Sequence, residues 1–205
     1  MGKERIMNIK LRILSIWIPK FILIRELERT SYIINDHLDK LLDKYSISHL
    51  STITPLNGNL EECRSVMGEG HAQRVHALVK TLGFDKACEV GRAEMFKAGY
   101  EMGCEATKRL GVGKNINDSI VAARILYKVL GINFIVEKHG KNIFLRIKSC
   151  ALAKHYSLET CKIMSAVDEG VLTGLNNNLG MKFLKMITEG AEECTACITV
   201  KVDKK

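Results

Sequence analysis

The hydrophobic period changes at Gly131, and that change restricts the fold more than any other feature of the chain. Before it, apolar residues recur at spacings of three and four; after it, they alternate. Ile132-Asn-Phe-Ile-Val136 and Asn142-Ile-Phe-Leu-Arg-Ile147 flank His139-Gly140, which is the pattern of a β-hairpin. Strands joined this tightly run antiparallel, because a parallel pair needs a crossover of a dozen or more residues. Ser157 then caps a helix carrying Leu158, Cys161, Met164, Val167, Val171 and Leu175, and two further alternating runs follow at 181–187 and 196–202. The order helix, hairpin, helix, strand, strand predicts an α+β fold. It comprises a four-stranded, mostly antiparallel sheet packed with helices and preceded by an N-terminal helical region. A doubly wound parallel sheet is excluded.

Upstream, residues 4–18 and 20–44 read as two helices broken at Pro19. The second carries Ile22, Leu23, Leu27, Ile33, Ile34, Leu38, Leu41 and Leu42 as an apolar stripe. Pro55 and Asn57-Gly58 mark a turn-rich stretch. The expected organisation is therefore an N-terminal helical arm (1–45), a linker (46–60) and an α+β domain (61–205). A helix over 61–82, interrupted near Gly68 and Gly70, is expected to stop at Gly83. Asp85 is expected to cap a helix reaching Leu110, and Asn117 or Asp118 to cap the one that ends at Gly131. Gly99-x-x-x-Gly103 costs about 1 kcal/mol of helix propensity per glycine, so it predicts close packing in a core or across a homodimer. Glu101 and Glu105 beside it argue against a membrane helix pair.

With 205 residues, 46% apolar and 26% charged, the chain has the make-up of a globular domain. Its net charge of +8 is concentrated at the front. Lys3, Arg5, Lys10, Arg12, Lys20 and Arg25 stand against Glu4 alone within residues 1–25. No aromatic–glycine–basic pattern accompanies them, so nucleic acid is not the expected partner. The basic, apolar segment 4–24 either packs on protein or lies at a membrane surface, with Trp17 and Phe21 as anchors. Arg12 and Pro19-Lys20 interrupt it short of a bilayer span. Seven cysteines without a secretory signal predict a reducing cytoplasm, with thiols that are free, catalytic or metal-bound.

The candidate chemistry lies with these cysteines. Cys150 ends the hairpin, Cys161 sits one turn into the next helix, and Cys194-Thr-Ala-Cys197 occupies the last turn. Four thiolates could hold a divalent metal, zinc above all, since a C-x-x-C turn aims two sulfurs at one ion. Inert packing and a reactive thiol are the alternatives. Glu189, Glu192 and Glu193 precede Cys194; Glu193 could complete a metal site or act as a base, or the three could form a solvated turn. His71 and His76 lie on different helix faces and so do not form a metal pair. No P-loop, dinucleotide fingerprint, H-E-x-x-H or G-x-S-x-G occurs.

Cys150-Ala-Leu-Ala through Cys161, Gly174-Leu-Asn-Asn-Asn-Leu179 and Gly190-Ala-Glu-Glu-Cys194 together resemble the aminothiazoline-carboxylate hydrolase family over residues 118–202. The layout is also similar to the vinyl-reductase-type ligand-binding domains, relatives of the Golgi transport-particle subunits. The resemblance implies an apolar pocket between sheet and helices, often in a homodimer, and hydrolysis of a small sulfur- or nitrogen-containing heterocycle. Asn177 stands where the family has proline. Phe183 and Met186 stand where zinc-holding vinyl-reductase-type domains have Glu and Cys, so only Cys161 and Cys194 match that metal site. Cys150 and Cys197 would have to substitute for the missing ligands. The alternative reading is a non-catalytic sensor or carrier of an apolar small molecule. Phe96, Tyr100, Phe134 and Phe144 would line its pocket and His71 would be a polar contact. A scaffold protein is the third reading.

Overall fold

The computed structural model describes residues 9–49, 55–140 and 142–201. Helices α1 (Ile9–Ile16), α2 (Lys20–Lys44), α3 (Leu60–Leu82), α4 (Phe84–Leu110) and α5 (Ile116–Val129) precede a hairpin of β1 (Ile132–His139) and β2 (Asn142–Cys150). Helix α6 (Leu158–Leu175), β3 (Leu179–Lys185), a single 3₁₀ turn at Ile187–Glu189 and β4 (Cys194–Val200) complete the chain. The sheet order is β1-β2-β4-β3, with every neighbouring pair antiparallel. The expected α+β class with its four-stranded sheet and leading helices is therefore the fold of this protein.

Local sequence explains most element ends. Pro19 precedes α2 at its N-terminus, where its fixed φ suits the entry and its missing N–H costs nothing. Asn59 opens α3: its side chain accepts from the Glu61 and Glu62 N–H groups while the Glu62 carboxylate accepts from the Asn59 N–H, a complete capping box. Asn59→Ala is expected to lower unfolding free energy by about 1 kcal/mol, read as a shift in urea midpoint at unchanged slope. Gly131 (φ +71°) reverses the chain from α5 into β1, and Gly140 (φ +61°) serves the hairpin turn.

Other ends differ from expectation. Helix α3 runs unbroken through Gly68 and Gly70, because Gly68 seats the His155 ring against its backbone. Gly83 alone joins α3 to α4, so Asp85 lies inside the first turn instead of capping it. Asn115, not Asn117 or Asp118, caps α5 by accepting from the Asp118 N–H. Both C-terminal strands begin two residues earlier than the alternation indicated, which moves Cys194 from a turn to the first position of β4.

The core is layered. The sheet presents Ile132, Phe134, Leu145, Ile147, Ala196 and Ile198 inward, with α5 packed on β1 and α6 on β3. Behind α6 lies α4, and α2 and α3 pack on α4 in turn. The α4–α6 contact is a backbone seam. A Cβ on Gly99 or Gly103 would overlap the Val167 or Val171 carbonyl, and a Cβ on Gly170 or Gly174 would overlap that of Phe96 or Tyr100. The close packing expected of Gly99-x-x-x-Gly103 is thus satisfied within the chain. Arg92 fastens one end of the seam, donating two hydrogen bonds to Glu169 at 2.7 and 2.9 Å.

Helix α1 turns Leu11 and Leu14 onto the body against α5, and α2 buries Leu23, Leu27, Ile34, Leu38, Leu41 and Leu42 in the same apolar cluster as the rest of the chain. Residues 4–8 of the segment considered for membrane contact and 50–54 of the expected linker lie outside the described residues.

Candidate functional site

A cavity forms where the sheet end meets α3, α5 and α6, with about 740 Å³ of empty space between its lining atoms, part of it open to solvent. Its walls are mostly aliphatic: Ile34, Met67, Leu130, Ile132, Ile147, Met164 and Val167. Set into them are Cys150, Cys161, Cys194, His71, Tyr127, Tyr156, Asp168 and Thr188. The segment between β2 and α6 closes one side. His155 pins it to α3 through Ser65 (3.1 Å), and Lys154 reaches Glu61 (3.2 Å).

His71 is 1% exposed, and burial, helped by the Arg74 charge, pushes its pKa down to about 3, so the imidazole is neutral. Its Nδ1 shares a 2.8 Å hydrogen bond with the Tyr156 hydroxyl, while Nε2 has no partner among the described residues. The Tyr127 hydroxyl and Thr188 Oγ1 are likewise buried without a regular hydrogen bond among the described residues, although Thr188 lies close enough to Cys161 to draw its thiol value down against burial. Burial lifts both tyrosines well above the usual phenol range, so they stay protonated.

Asp168 lies at the centre of the cluster: its charge raises the pKa of Cys150, Cys161, Cys194, Tyr127 and Tyr156 alike. Burial raises its own carboxyl to about 7, the Tyr127 hydroxyl pulls it back, and Glu169 adds a smaller upward push. The Tyr127 hydroxyl lies near enough to stabilise the carboxylate without the alignment of a regular hydrogen bond. Near neutral pH, Asp168 can therefore either donate or accept a proton inside an apolar wall. Asp168 also lines a second cavity that shares Ile34, Tyr127, Leu130 and Val167 with the first. This second space extends along α2 and α4 to Arg29, Glu105 and Arg109.

Three of the four cysteines singled out by sequence, Cys150, Cys161 and Cys194, line one cavity, as does His71. Cys197 does not. Three residues past Cys194 on a strand, it faces the other side of the sheet, paired with Phe144 and Lys182. Glu193 is also outside: it accepts a 2.5 Å hydrogen bond from Arg146, which bonds Glu137 as well. Phe144 stacks edge-on with His139 away from the cavity, and Phe96 and Tyr100 stand partly exposed on α4. Phe134 is buried behind the wall, edge-on to Tyr127 at 5.2 Å. None of these four aromatic residues lines the cavity.

Among the described residues, no group of three or more His, Cys, Asp or Glu side chains is arranged to hold a metal ion. Burial raises Cys150 to about 11 and lifts Cys161 and Cys194 as well, so these groups are thiols, not thiolates. Cys194 Sγ accepts from the Ile187 N–H at 3.3 Å, and Cys150 takes hydrogen bonds from the Leu152 and Ala153 backbone.

Asp168, Tyr127 and Tyr156 were not singled out from sequence. Asp168 carried a signal: it interrupts the stripe Cys161, Met164, Val171, Leu175 at a position that shares its apolar face. Tyr156, in a connecting segment, carried none.

No protein-family model matches this sequence, and neither does any curated protein. Among solved structures, the phenol-responsive sensory domain of the transcription activator PoxR, crystallised with phenol, aligns with a TM-score of 0.50 at 14% identity. The alignment covers 80% of this chain and 89% of that one. A trafficking protein particle complex subunit 3 from Naegleria fowleri, covalently bound to palmitic acid, aligns at 0.46 and 17% identity, over 66% and 95% of the two chains. An H-NOX protein from S. oneidensis in the Fe(II)NO state aligns at 0.41 and 13%, over 82% and 89%. The first of these shows a shared fold; the other two fall below the similarity that would add to it.

Proposed function

We propose that this domain binds a small, largely apolar molecule carrying a hydroxyl or similar polar group, as a sensor or carrier. The carrying observation is the coincidence of an aliphatic cavity with a buried His71 Nε2 that has no hydrogen-bond partner among the described residues, and with Tyr127 and Thr188 hydroxyls that meet only Asp168 and Cys161, without regular hydrogen-bond alignment. An unpaired buried polar atom costs about 1–3 kcal/mol, which a ligand atom of matching polarity recovers. Apolar walls with a few convergent polar groups are the usual make-up of a small-molecule site. The PoxR sensory domain, which shares the fold, was crystallised with phenol, and this is consistent with the reading.

Native mass spectrometry of the purified protein tests for a co-purified ligand, and thermal unfolding with phenol and toluene as probes tests the polar contribution. A probe at a hundred times its Kd contributes about 2.7 kcal/mol, worth roughly 5–10 °C in a chain of this size. Phenol is expected to stabilise more than toluene, and Tyr127→Phe to narrow that gap. No retained ligand and no shift with either probe would remove the proposal.

A second reading keeps the hydrolase implied by the resemblance. Three thiols and a carboxyl of pKa about 7 face one cavity, which supplies a candidate base at Asp168. Burial works against it by holding the thiols protonated. Release of free thiol from an aminothiazoline carboxylate, lost in Asp168→Asn, is the outcome that would favour it.

A further inference from the structure

The outward face of α1 is apolar where a helix packed on a protein body is normally polar. Ile9, Ile13 and Ile16 stand at i, i+4 and i+7, and they are 71%, 58% and 81% exposed. Trp17 and Phe21, on either side of Pro19, are 65% and 70% exposed. The inward face, Leu11 and Leu14, is already used against the body, so α1 needs no further protein contact to be held. Clustered exposed apolar side chains of this kind mark an interaction surface.

Charge identifies the partner. Residues 9–25 include Lys10, Arg12, Lys20 and Arg25, all exposed, and no carboxylate. Lys10 also donates to the Arg109 carbonyl at 2.6 Å, and Arg12, Lys20 and Arg25 make no ion pair among the described residues. A second copy apposed through the same face would bring cation against cation. An anionic bilayer satisfies both halves of the surface, taking isoleucine and aromatic side chains at the acyl boundary and cations at the headgroups. No helix among the described residues is long and apolar enough to cross a membrane, so the contact is with the surface only. We infer that the α1 face, from Ile9 to Arg25, docks this protein on an anionic lipid surface.

Trp17 is the only tryptophan, so its emission reports on this face alone. The full chain is titrated with phosphatidylcholine vesicles holding 30 mol% phosphatidylglycerol, and with pure phosphatidylcholine vesicles. The expected result is a blue shift and co-sedimentation with the anionic vesicles, at least about tenfold stronger than with neutral ones and weakened by 0.5 M salt. Arg12→Ala with Lys20→Ala is expected to weaken partitioning about 30-fold. Ile13→Asp with Ile16→Asp, at exposed positions, is expected to abolish it with the circular dichroism spectrum unchanged. Three outcomes overturn the inference: no partitioning, equal partitioning to both vesicle types, or a dimer in sedimentation that Ile13→Asp with Ile16→Asp dissociates.

Discussion

Gly99→Ala is expected to destabilise the protein by more than about 3 kcal/mol, and Gly170→Ala by a similar amount, even though alanine is the better helix former by about 1 kcal/mol. The sign follows from what the added carbon meets. At Gly99 it is the Val167 carbonyl, and at Gly170 the Phe96 carbonyl; neither is a side-chain tip that can rotate aside. Relief requires α4 and α6 to separate, which opens the packing along both helices. Urea titration of each variant checks this, with Gly83→Ala as a contrasting control. At Gly83 nothing lies within contact distance, and the only cost is its φ of +74°. A Gly99→Ala variant as stable as the parent would mean that the helices are further apart than described here.

The stability of the protein is expected to fall by about 4 kcal/mol between pH 4 and pH 8 through Asp168 alone, and Asp168→Asn is expected to remove that fall. The carboxyl has its ordinary value near 3.8 when unfolded and about 7 when folded. Between those values the native state holds a proton that the unfolded chain has released, so stability drops as pH rises through this window. Its contribution is complete below about 4 and gone above about 7. The asparagine variant should therefore be the more stable protein at pH 8 and similar to the parent at pH 4. Urea unfolding of both across this range decides it. Equal slopes would mean that the carboxyl is ionised and solvated in the cavity. Tyr127→Phe is expected to steepen the fall, because the phenol that draws the Asp168 value down is removed.

Much of the fold was legible because its signals are local. Pro19, Gly83 and Gly131 mark breaks that any tertiary context would respect, and the change from period 3.6 to period 2 is a property of the chain itself. Tertiary packing decided what the sequence could not. Gly68 reads as a weak point until His155, distant in sequence, is laid against it. The α5 cap differs because Asn115 accepts from the Asp118 N–H, while the Asp118 carboxylate turns back to accept from the Gly113 N–H.

The site divides along the same line. Cys150, Cys161, Cys194 and His71 share a cavity, but Cys197 failed on parity. Once β4 starts at Cys194, a residue three positions on must face away. Phe144 belongs to the same outward register. Asp168 was visible as an acid inside an apolar stripe, but the consequence of its burial depends on Tyr127, contributed by α5.

The glycine seam has a mechanical consequence for the cavity. With backbone resting on backbone, α6 has almost no freedom to slide or tilt against α4, so the wall that carries Cys161 and Asp168 acts as a fixed anvil. If the cavity takes the proposed ligand, any change of shape must therefore come from walls outside the seam.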